Sequence, residues 1–178
     1  LLGFSRAMFA CFVDRCSLEA FMDSHIAAFH YLGGVPAETL YDNMRHVFAG
    51  RKDGKAAINT EFTDFAGHCG FKPVLCAPYS PWAKGKVERP IDYIKGNFWA
   101  GRYFADYGDL DRQRWEWLNE TANTRVHRVT HRRPVEHFEE ERDVLLPLPI
   151  EPFDTDRVLY PKVSKDCVIR VDTNDYSV

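Results

Sequence analysis

Apolar residues near the start of the chain follow a strand-like and then a helix-like spacing. A continuous apolar run of strand length covers residues 7–13, and a short connector at residues 4–6 precedes it. Two strands around a short turn are therefore predicted within residues 1–14. From Ser17, a predicted helix N-cap, apolar side chains recur at helical spacing until Gly33 ends the pattern, which predicts an α-helix.

The rest of the chain predicts short strands that alternate with helices. The elements expected after the first helix are a strand at residues 39–41, a polar loop at 49–55, a helix capped by Asn59 or Thr60, a strand at 73–77, a helix starting near Lys86, and a helix at 109–123. Those expected further on are a basic connector at 125–133, a Glu-rich helix from Pro134 to Leu145, a proline-containing linker, and strands at 167–171 and 176–178. This order predicts an α/β domain with a mixed sheet.

Composition is consistent with a folded domain of ordinary size. Of the 178 residues, 45% are apolar and 14% aromatic, which is enough to bury a core. No apolar run reaches the roughly 20 residues of a membrane span, and no secretory signal opens the chain. The five cysteines are odd in number and form no CxxC pair, which predicts reduced thiols and a cytoplasmic protein. The absence of an initiator Met at Leu1 suggests a piece of a longer protein.

The net charge of −3 by itself gives no support for nucleic-acid binding, but the charges are unevenly distributed. Residues 84–133 contain eleven Lys and Arg against seven Asp and Glu, whereas residues 134–156 contain one Arg against eight acidic residues. A basic face beside an acidic segment would give this distribution, and so would two solvated surfaces of different charge.

Two acidic residues are candidates for chemistry. Asp42 follows a predicted strand, where α/β sheets place ligand-binding residues, although an Asp-Asn pair there is also typical of a turn or a helix cap. Glu88 lies in the predicted first turn of a helix, where a carboxylate also interacts favourably with the helix dipole. Neither residue alone indicates an active site.

Together, the surrounding motifs resemble the integrase catalytic core that retroviral integrases and DDE transposases share. The residues that carry the resemblance are Gly33-Gly34-Val35-Pro36, Asp42-Asn43, Pro81, Lys84-Gly85-Lys86-Val87-Glu88-Arg89 and Lys95. Glu88 follows Asp42 by 46 positions, as in the IstA-like insertion-sequence transposases. Further segments similar to that subgroup are Gly3-Phe4-Ser5-Arg6, Arg133-Pro134-Val135-Glu136-His137-Phe138, Leu146-Pro147-Leu148-Pro149 and Asn174-Asp175-Tyr176-Ser177-Val178.

The resemblance implies a ribonuclease H-like mixed sheet with flanking helices, without the first strand that carries the first catalytic Asp. Three parts are expected: a catalytic core at 1–125, a basic connector with an acidic helix at 126–146, and a linker at 147–178 that enters a small C-terminal β-barrel. Asp42 and Glu88 are implied as the second and third acidic ligands of two Mg²⁺ or Mn²⁺ ions. Such a pair of ions suits DNA cleavage and strand transfer by in-line displacement at phosphorus.

Binding of double-stranded DNA, both transposon ends and target, is implied as well. Lys95 matches an integrase lysine that contacts the DNA end, although an exposed, solvated lysine would fit the pattern too. The other predicted DNA-binding residues are Lys84, Lys86, Arg89, Arg125, Arg128, Arg132 and Arg133. A homo-oligomer and an IstB-type ATPase helper are the implied protein partners. Without the first Asp, these 178 residues alone are expected to be inactive in strand transfer.

Two alternative functions belong to other classes. One is a decayed, non-catalytic DNA-binding or assembly module, in which the carboxylates only cap helices. The other is a ribonuclease H-like nuclease that hydrolyses DNA or RNA without strand transfer. The pairing of Asp42 with Glu88 argues against decay, and the Lys-Gly-Lys-Val-Glu-Arg segment favours the transposase.

Overall fold

The computed structural model describes residues 1–42, 44–52, 55–76, 89–156, 160–171 and 173–177. The fold is mixed α/β. Its helices are α1 (Leu18–Leu32), α2 (Thr60–Cys69), π1 (Ile94–Trp99), α3 (Tyr107–Trp117), π2 (Leu118–Ala122) and α4 (Pro134–Arg142). Its strands are β1 (Glu38–Tyr41), β2 (Phe48–Lys52), β3 (Lys55–Ile58), β4 (Lys72–Leu75), β5 (Val168–Val171) and β6 (Asn174–Ser177). No helix in these ranges is long and apolar enough to cross a membrane.

Strands β1 and β4 form a parallel pair, in which Glu38 lies opposite Lys72 and Tyr41 opposite Leu75. The connection between them contains the β2–β3 hairpin and helix α2, as a parallel crossover requires. The predicted strand at 39–41 and the predicted helix after residue 59 are both confirmed. This pair fits the expected α/β class, and the complete ribonuclease H-like sheet stays a prediction.

Helices α1 and α2 begin and end at local signals that the sequence shows. The Ser17 side chain accepts a hydrogen bond from the amide of Ala20, and Asn59 caps α2 in the same way. Gly33 and Gly70 end the two helices at φ 71° and 82°, in the left-handed region that glycine occupies without steric cost. Both helices bury apolar faces in one core with β1 and β4. Its fully buried side chains include Met22, Val35, Val47, Phe62 and Phe65.

The prediction of a polar loop at residues 49–55 is wrong, because β2 and β3 pair there as an antiparallel hairpin. Lys52 lies opposite Lys55 in the register, so two residues connect the strands. The sequence at those two positions is Asp-Gly, a strong signal for a tight hairpin turn. The polar side chains of the segment concealed the strands, because a hairpin exposed to solvent needs few apolar residues.

The two strands predicted within residues 1–14 are also absent from the described structure, where this segment forms no strand ladder. Side chains, rather than a neighbouring strand, form hydrogen bonds with the backbone of this segment. In the side-chain amide of Asn123, Oδ1 accepts from Met8 N at 2.8 Å and Nδ2 donates to Met8 O at 2.9 Å. Arg114 donates to the carbonyl oxygen of Ala10 at 2.9 Å. A buried backbone needs hydrogen-bond partners of some kind, and here α3 and the turn after π2 supply them.

The second half of the chain is mostly helical around its own core. Residues 89–93 are helical and lead into π1, and the helix predicted at 109–123 is present as α3 followed by π2. Phe98, Trp117 and Leu118 are buried there together with Met8 from the N-terminal segment. The helix predicted from Pro134 ends at Arg142, three residues earlier than expected.

The proline-containing segment after α4 packs on the first core. Val35 and Leu146 exchange both backbone hydrogen bonds, each at 2.8 Å, as an isolated antiparallel bridge. The Phe153 ring lies 5.3 Å from the rings of Phe65 and His68. The segment is therefore docked along α2 before the chain reaches the β5–β6 hairpin. Strand β5 was predicted, whereas β6 begins at Asn174, two residues before the predicted start at 176.

Candidate catalytic edge and nucleic-acid interface

Asp42 lies directly after β1, at the carboxyl end of the parallel β1–β4 pair, and is exposed. Its carbonyl oxygen accepts a hydrogen bond of 2.7 Å from Met44 N, so the chain turns sharply at this point. Met44 packs against the first core, which anchors the chain just beyond the turn. The predicted position of Asp42 at a strand end is confirmed.

The end of β4 reaches the same edge of the sheet. Cys76 N donates to Tyr41 O at 2.8 Å, which extends the ladder by one residue beyond β4. Burial raises the pKa of the Cys76 thiol, and the nearby Asp42 carboxylate raises it further. From Cys76 the chain continues through residues 77–88, which end at Glu88 and lie outside the described residues. The predicted closeness of the Asp42 and Glu88 carboxylates stays a prediction.

A partly buried hydrogen-bonded pair lies next to the turn at Asp42. The Tyr41 hydroxyl lies 2.9 Å from Nε2 of His25, and Nδ1 of His25 lies 2.7 Å from the carbonyl oxygen of Phe21. A carbonyl oxygen only accepts, so Nδ1 carries the proton and Nε2 accepts from the tyrosine. Burial lowers the pKa of His25 and raises the pKa of Tyr41, so both groups are neutral near pH 7. The sequence showed His25 only as one of seven scattered histidines.

A complete metal-binding cluster is not found in the part of the chain that the structure describes. No three His, Cys, Asp or Glu side chains come together there. Asp42 contributes the hard carboxylate oxygen that Mg²⁺ prefers, at an open edge of the sheet where further ligands can approach. Its donor chemistry and position therefore fit the implied cofactor.

The predicted DNA-binding residues fall into two groups in the structure. Arg89 and Lys95 are exposed on the helical segment that runs into π1, whereas Lys84 and Lys86 lie outside the described residues. The carbonyl oxygen of Lys95 accepts from Ala100 N at 3.0 Å, which is the wider hydrogen-bond spacing of a π-helix. Glu88 lies outside the described residues, so its position relative to Lys95 stays a prediction.

The connector between π2 and α4 holds the second group. Arg128 is exposed, and Arg125 is partly buried with its guanidinium 3.9 Å from the centre of the Tyr93 ring. Arg132 forms an ion pair of 2.5 Å with Glu140, and Arg133 one of 3.7 Å with Glu136. Carboxylates of α4 thus compete with phosphate for these last two arginines.

Known proteins similar to the chain are transposases. Residues 148–178 match the family described as the Mu transposase C-terminal domain. The chain is 39% identical over 165 residues to a Geobacillus stearothermophilus protein assigned as the transposase of insertion sequence element IS5376. It is 34% identical over 178 residues to the transposase for insertion sequence element IS21 of Pseudomonas aeruginosa. These alignments cover 93% and 99% of the chain. The chain is therefore similar to insertion-sequence transposases over nearly its whole length.

The chain spans less than half the length of the relatives that it matches. The two alignments cover 41% and 46% of those proteins, and an insertion-sequence IS21-like transposase of Bacteroides fragilis is covered to 30% at 34% identity. The similarity extends across both the candidate catalytic edge and the β5–β6 region. The Mu-type match begins at residue 148, inside the segment that docks along α2.

Proposed function

We propose that the intact protein is a DDE-type, IstA-like transposase that cuts and joins DNA, with Asp42 and Glu88 as two of its acidic ligands. The observation that carries the proposal is the position of Asp42 beside Cys76, where two parallel strands end at one edge. Ligand-binding residues of α/β sheets are found at the carboxyl ends of strands. Glu88 follows Cys76 by twelve residues, a short enough connection to return a helix to this edge.

Asp42 and Glu88 would hold Mg²⁺ or Mn²⁺ together with the first acidic residue of a DDE set. When bound, two such ions activate the entering oxygen and stabilise the leaving oxygen at phosphorus. The protein's own contribution is to fix the carboxylates. The Cys76–Tyr41 hydrogen bond, the Met44 turn and the Tyr41–His25 pair hold the backbone on both sides of Asp42, so little ordering remains to be done when a metal binds.

Arg89 and Lys95 are proposed to contact DNA phosphates, together with Lys84 and Lys86. Arg89 and Lys95 support this proposal because both are exposed on one helical segment, whose described part starts directly after Glu88 in the sequence. Because the net charge is −3, a local basic strip has to supply most of the attraction, and binding by this chain should be weak and non-specific.

Transposon ends and target DNA are the proposed nucleic-acid partners, and a second copy and an IstB-type ATPase are the proposed protein partners. A surface available for protein contacts includes Trp99, Tyr103, Tyr107 and Trp115, whose side chains are 45–83% exposed. Large aromatic side chains are enriched at protein interfaces. Sedimentation of the chain, with and without the ATPase, measures both associations.

Metal binding tests the assignment of Asp42 directly. The Asp42→Asn variant should bind Mn²⁺ more weakly than the wild-type chain in a calorimetric titration, because a neutral amide replaces a charged ligand. Asp64→Asn, which changes an exposed carboxylate on α2, is the matched control and should bind as wild type does. In the full-length transposase, Asp42→Asn and Glu88→Gln should each abolish strand transfer from pre-cut transposon ends. Wild-type activity of either variant would overturn the proposal.

Charge reversal tests the DNA-binding helix. The double variant Lys86→Glu with Lys95→Glu should bind a short DNA duplex more weakly and with a flatter salt dependence, since fewer counterions are released. Lys72→Glu, at an exposed position on β4, serves as the control. Wild-type affinity of the double variant at low salt would show that another surface faces DNA.

A further inference from the structure

Three residues that can carry positive charge lie where the N-terminal segment contacts the connector after π2. The Asn123 side chain forms two hydrogen bonds with the backbone of Met8. These bonds hold the N-terminal segment around Met8 against the connector that follows Asn123. Arg6 precedes Met8 by two positions, and Arg125 follows Asn123 by two. The charges of Arg6 and Arg125 both lower the pKa of His127. We name these three residues the Arg6 cluster.

The conformation of Arg6 is energetically unfavourable in two ways. Its φ of 65° lies in the left-handed region, which a non-glycine residue adopts only with strain. Its Nε atom is buried and has no hydrogen-bond partner, and an unpaired buried donor is unfavourable. Strained residues and unsatisfied buried groups concentrate at functional sites.

The other two members are held rigidly by local contacts. Arg125 lies over the Tyr93 ring and donates to the carbonyl oxygen of Ala122, which fixes its guanidinium plane. His127 Nδ1 is 3.4 Å from the amide nitrogens of Val129 and Thr130, so it is the acceptor and Nε2 carries the proton of the neutral ring. Local contacts therefore fix the guanidinium of Arg125 and the tautomer of neutral His127.

Acidic side chains near the cluster are engaged elsewhere. Glu141 accepts from the amides of Phe4 and Ser5 at 3.4 and 2.9 Å, and Glu140 pairs with Arg132. Among the described residues, no carboxylate lies within ion-pair distance of Arg6 or Arg125. Burial, and to a smaller extent the charges of Arg125 and Arg6, lower the pKa of His127.

We propose that Arg6, Arg125 and His127 form a binding site for a phosphodiester group of the DNA backbone. Two guanidinium groups and a neutral imidazole N–H supply donors of the kind that phosphate oxygens accept, and the charges of the two arginines favour an anion. The proposal rests on the proposed DNA binding of this transposase. It adds Arg6 and His127 to the DNA-contacting residues and places a contact on the connector, away from the helix of Arg89 and Lys95.

DNA binding by the 178-residue chain, measured by fluorescence anisotropy of a labelled mixed-sequence duplex over a range of NaCl concentrations, tests the site. Arg6→Gly should weaken binding several-fold and lower the slope of log K against log salt by about 1. Glycine suits a φ of 65°, so this variant should be at least as stable as wild type. His127→Gln should weaken binding independently, and Arg6→Lys should restore part of the salt slope. Arg112→Gln, at an exposed position on α3, is the control and should bind as wild type does.

The outcomes distinguish a failure of the Arg6 cluster from a failure of the proposed DNA binding as a whole. If the chain binds no DNA, both proposals fail. If Lys86→Glu with Lys95→Glu weakens binding while Arg6→Gly and His127→Gln bind normally, only the Arg6 cluster is overturned. A titration with inorganic phosphate, followed by NMR of the His127 ring, is a further test. A shift with phosphate that duplex DNA does not reproduce would identify a site for small anions and would overturn the assignment to the DNA backbone.

Discussion

The Tyr41 hydroxyl donates a hydrogen bond of 2.9 Å to Nε2 of His25, next to the turn at Asp42. Tyr41 is buried and ends β1, while His25 lies in the middle of α1, so the bond joins the sheet to the helix. His25 is itself held by the carbonyl oxygen of Phe21 at 2.7 Å. The candidate catalytic carboxylate is therefore supported by a polar contact inside an otherwise aromatic core.

Removing the tyrosine hydroxyl should destabilise the chain. In Tyr41→Phe, Nε2 of His25 loses its donor while the apolar packing remains. Because this site is only partly buried, the loss should be about 1 kcal/mol, at the lower end of the cost of an unsatisfied acceptor. Urea denaturation measures the free energy of unfolding. Tyr160→Phe is the matched control, because Tyr160 is 94% exposed and should contribute nothing. Equal losses in the two variants would show that the Tyr41–His25 bond does not stabilise the fold.

His25 should make the stability depend on pH. Burial lowers its pKa in the folded state, so the unfolded chain takes up the proton first as the pH falls. The stabilisation is fully present above the unfolded pKa of about 6.5 and is lost as the pH falls toward the lowered folded pKa. His25→Gln cannot titrate and should show a smaller loss of unfolding free energy between about pH 7 and pH 5 than wild type. Parallel curves for the two proteins would contradict this prediction.

Elements set by local signals were predictable from the sequence. Helix α1 follows from Ser17, its apolar spacing and Gly33, and α2 follows in the same way from Asn59 and Gly70. Each of these signals acts within a few residues of the chain, so no knowledge of the tertiary structure is needed. The strand before Asp42 was predictable for the same reason.

Features that depend on distant residues were not predictable. The apolar run at residues 7–13 has the pattern of a strand, but its backbone groups are bonded by Asn123 and Arg114, more than a hundred residues away. The Tyr41–His25 bond depends on how α1 packs against β1, which periodicity does not specify. At the candidate site, the position of Asp42 agrees with the sequence reasoning, and the approach of Glu88 stays a prediction.

Gly34 allows the segment after α4 to approach the first core. A Cβ atom at this position would lie 2.7 Å from Leu145 Cβ and 3.0 Å from the carbonyl oxygen of Leu146. Gly34→Ala should therefore strain the Val35–Leu146 bridge and destabilise the chain by about 1–3 kcal/mol. Gly67→Ala, within α2, is the matched control, because nothing lies within 4 Å of its added Cβ.

The two alanine variants should change stability in opposite directions. Alanine is favoured over glycine in a helix by about 0.5–1 kcal/mol, so Gly67→Ala should raise the urea midpoint while Gly34→Ala lowers it. A Gly34→Ala variant as stable as wild type would show that the segment is not held closely at Leu145 and Leu146.

Asn123 should be the most sensitive polar position in the second core. Its side chain accepts from Met8 N at 2.8 Å, and its amide nitrogen donates to Met8 O and to the Tyr31 hydroxyl, each at 2.9 Å. Asn123 is only 6% exposed, so water cannot easily replace these partners. In Asn123→Asp the carboxylate keeps the acceptor but loses both donors, and it also places a charge in a buried site.

Asn123→Asp should therefore lower the free energy of unfolding by at least about 2–3 kcal/mol, which is more than the loss of a single hydrogen-bond partner would cost. The loss should shrink as the pH falls toward the pKa of the carboxyl, since a protonated acid carries no charge and can donate once. Asn119→Asp is the control, because Asn119 is exposed and accepts from the same Tyr31 hydroxyl at 3.0 Å. Denaturation at two pH values measures both effects. If the two aspartate variants were equally stable, the Asn123 side chain would not be what holds residues 7–13 against the helices.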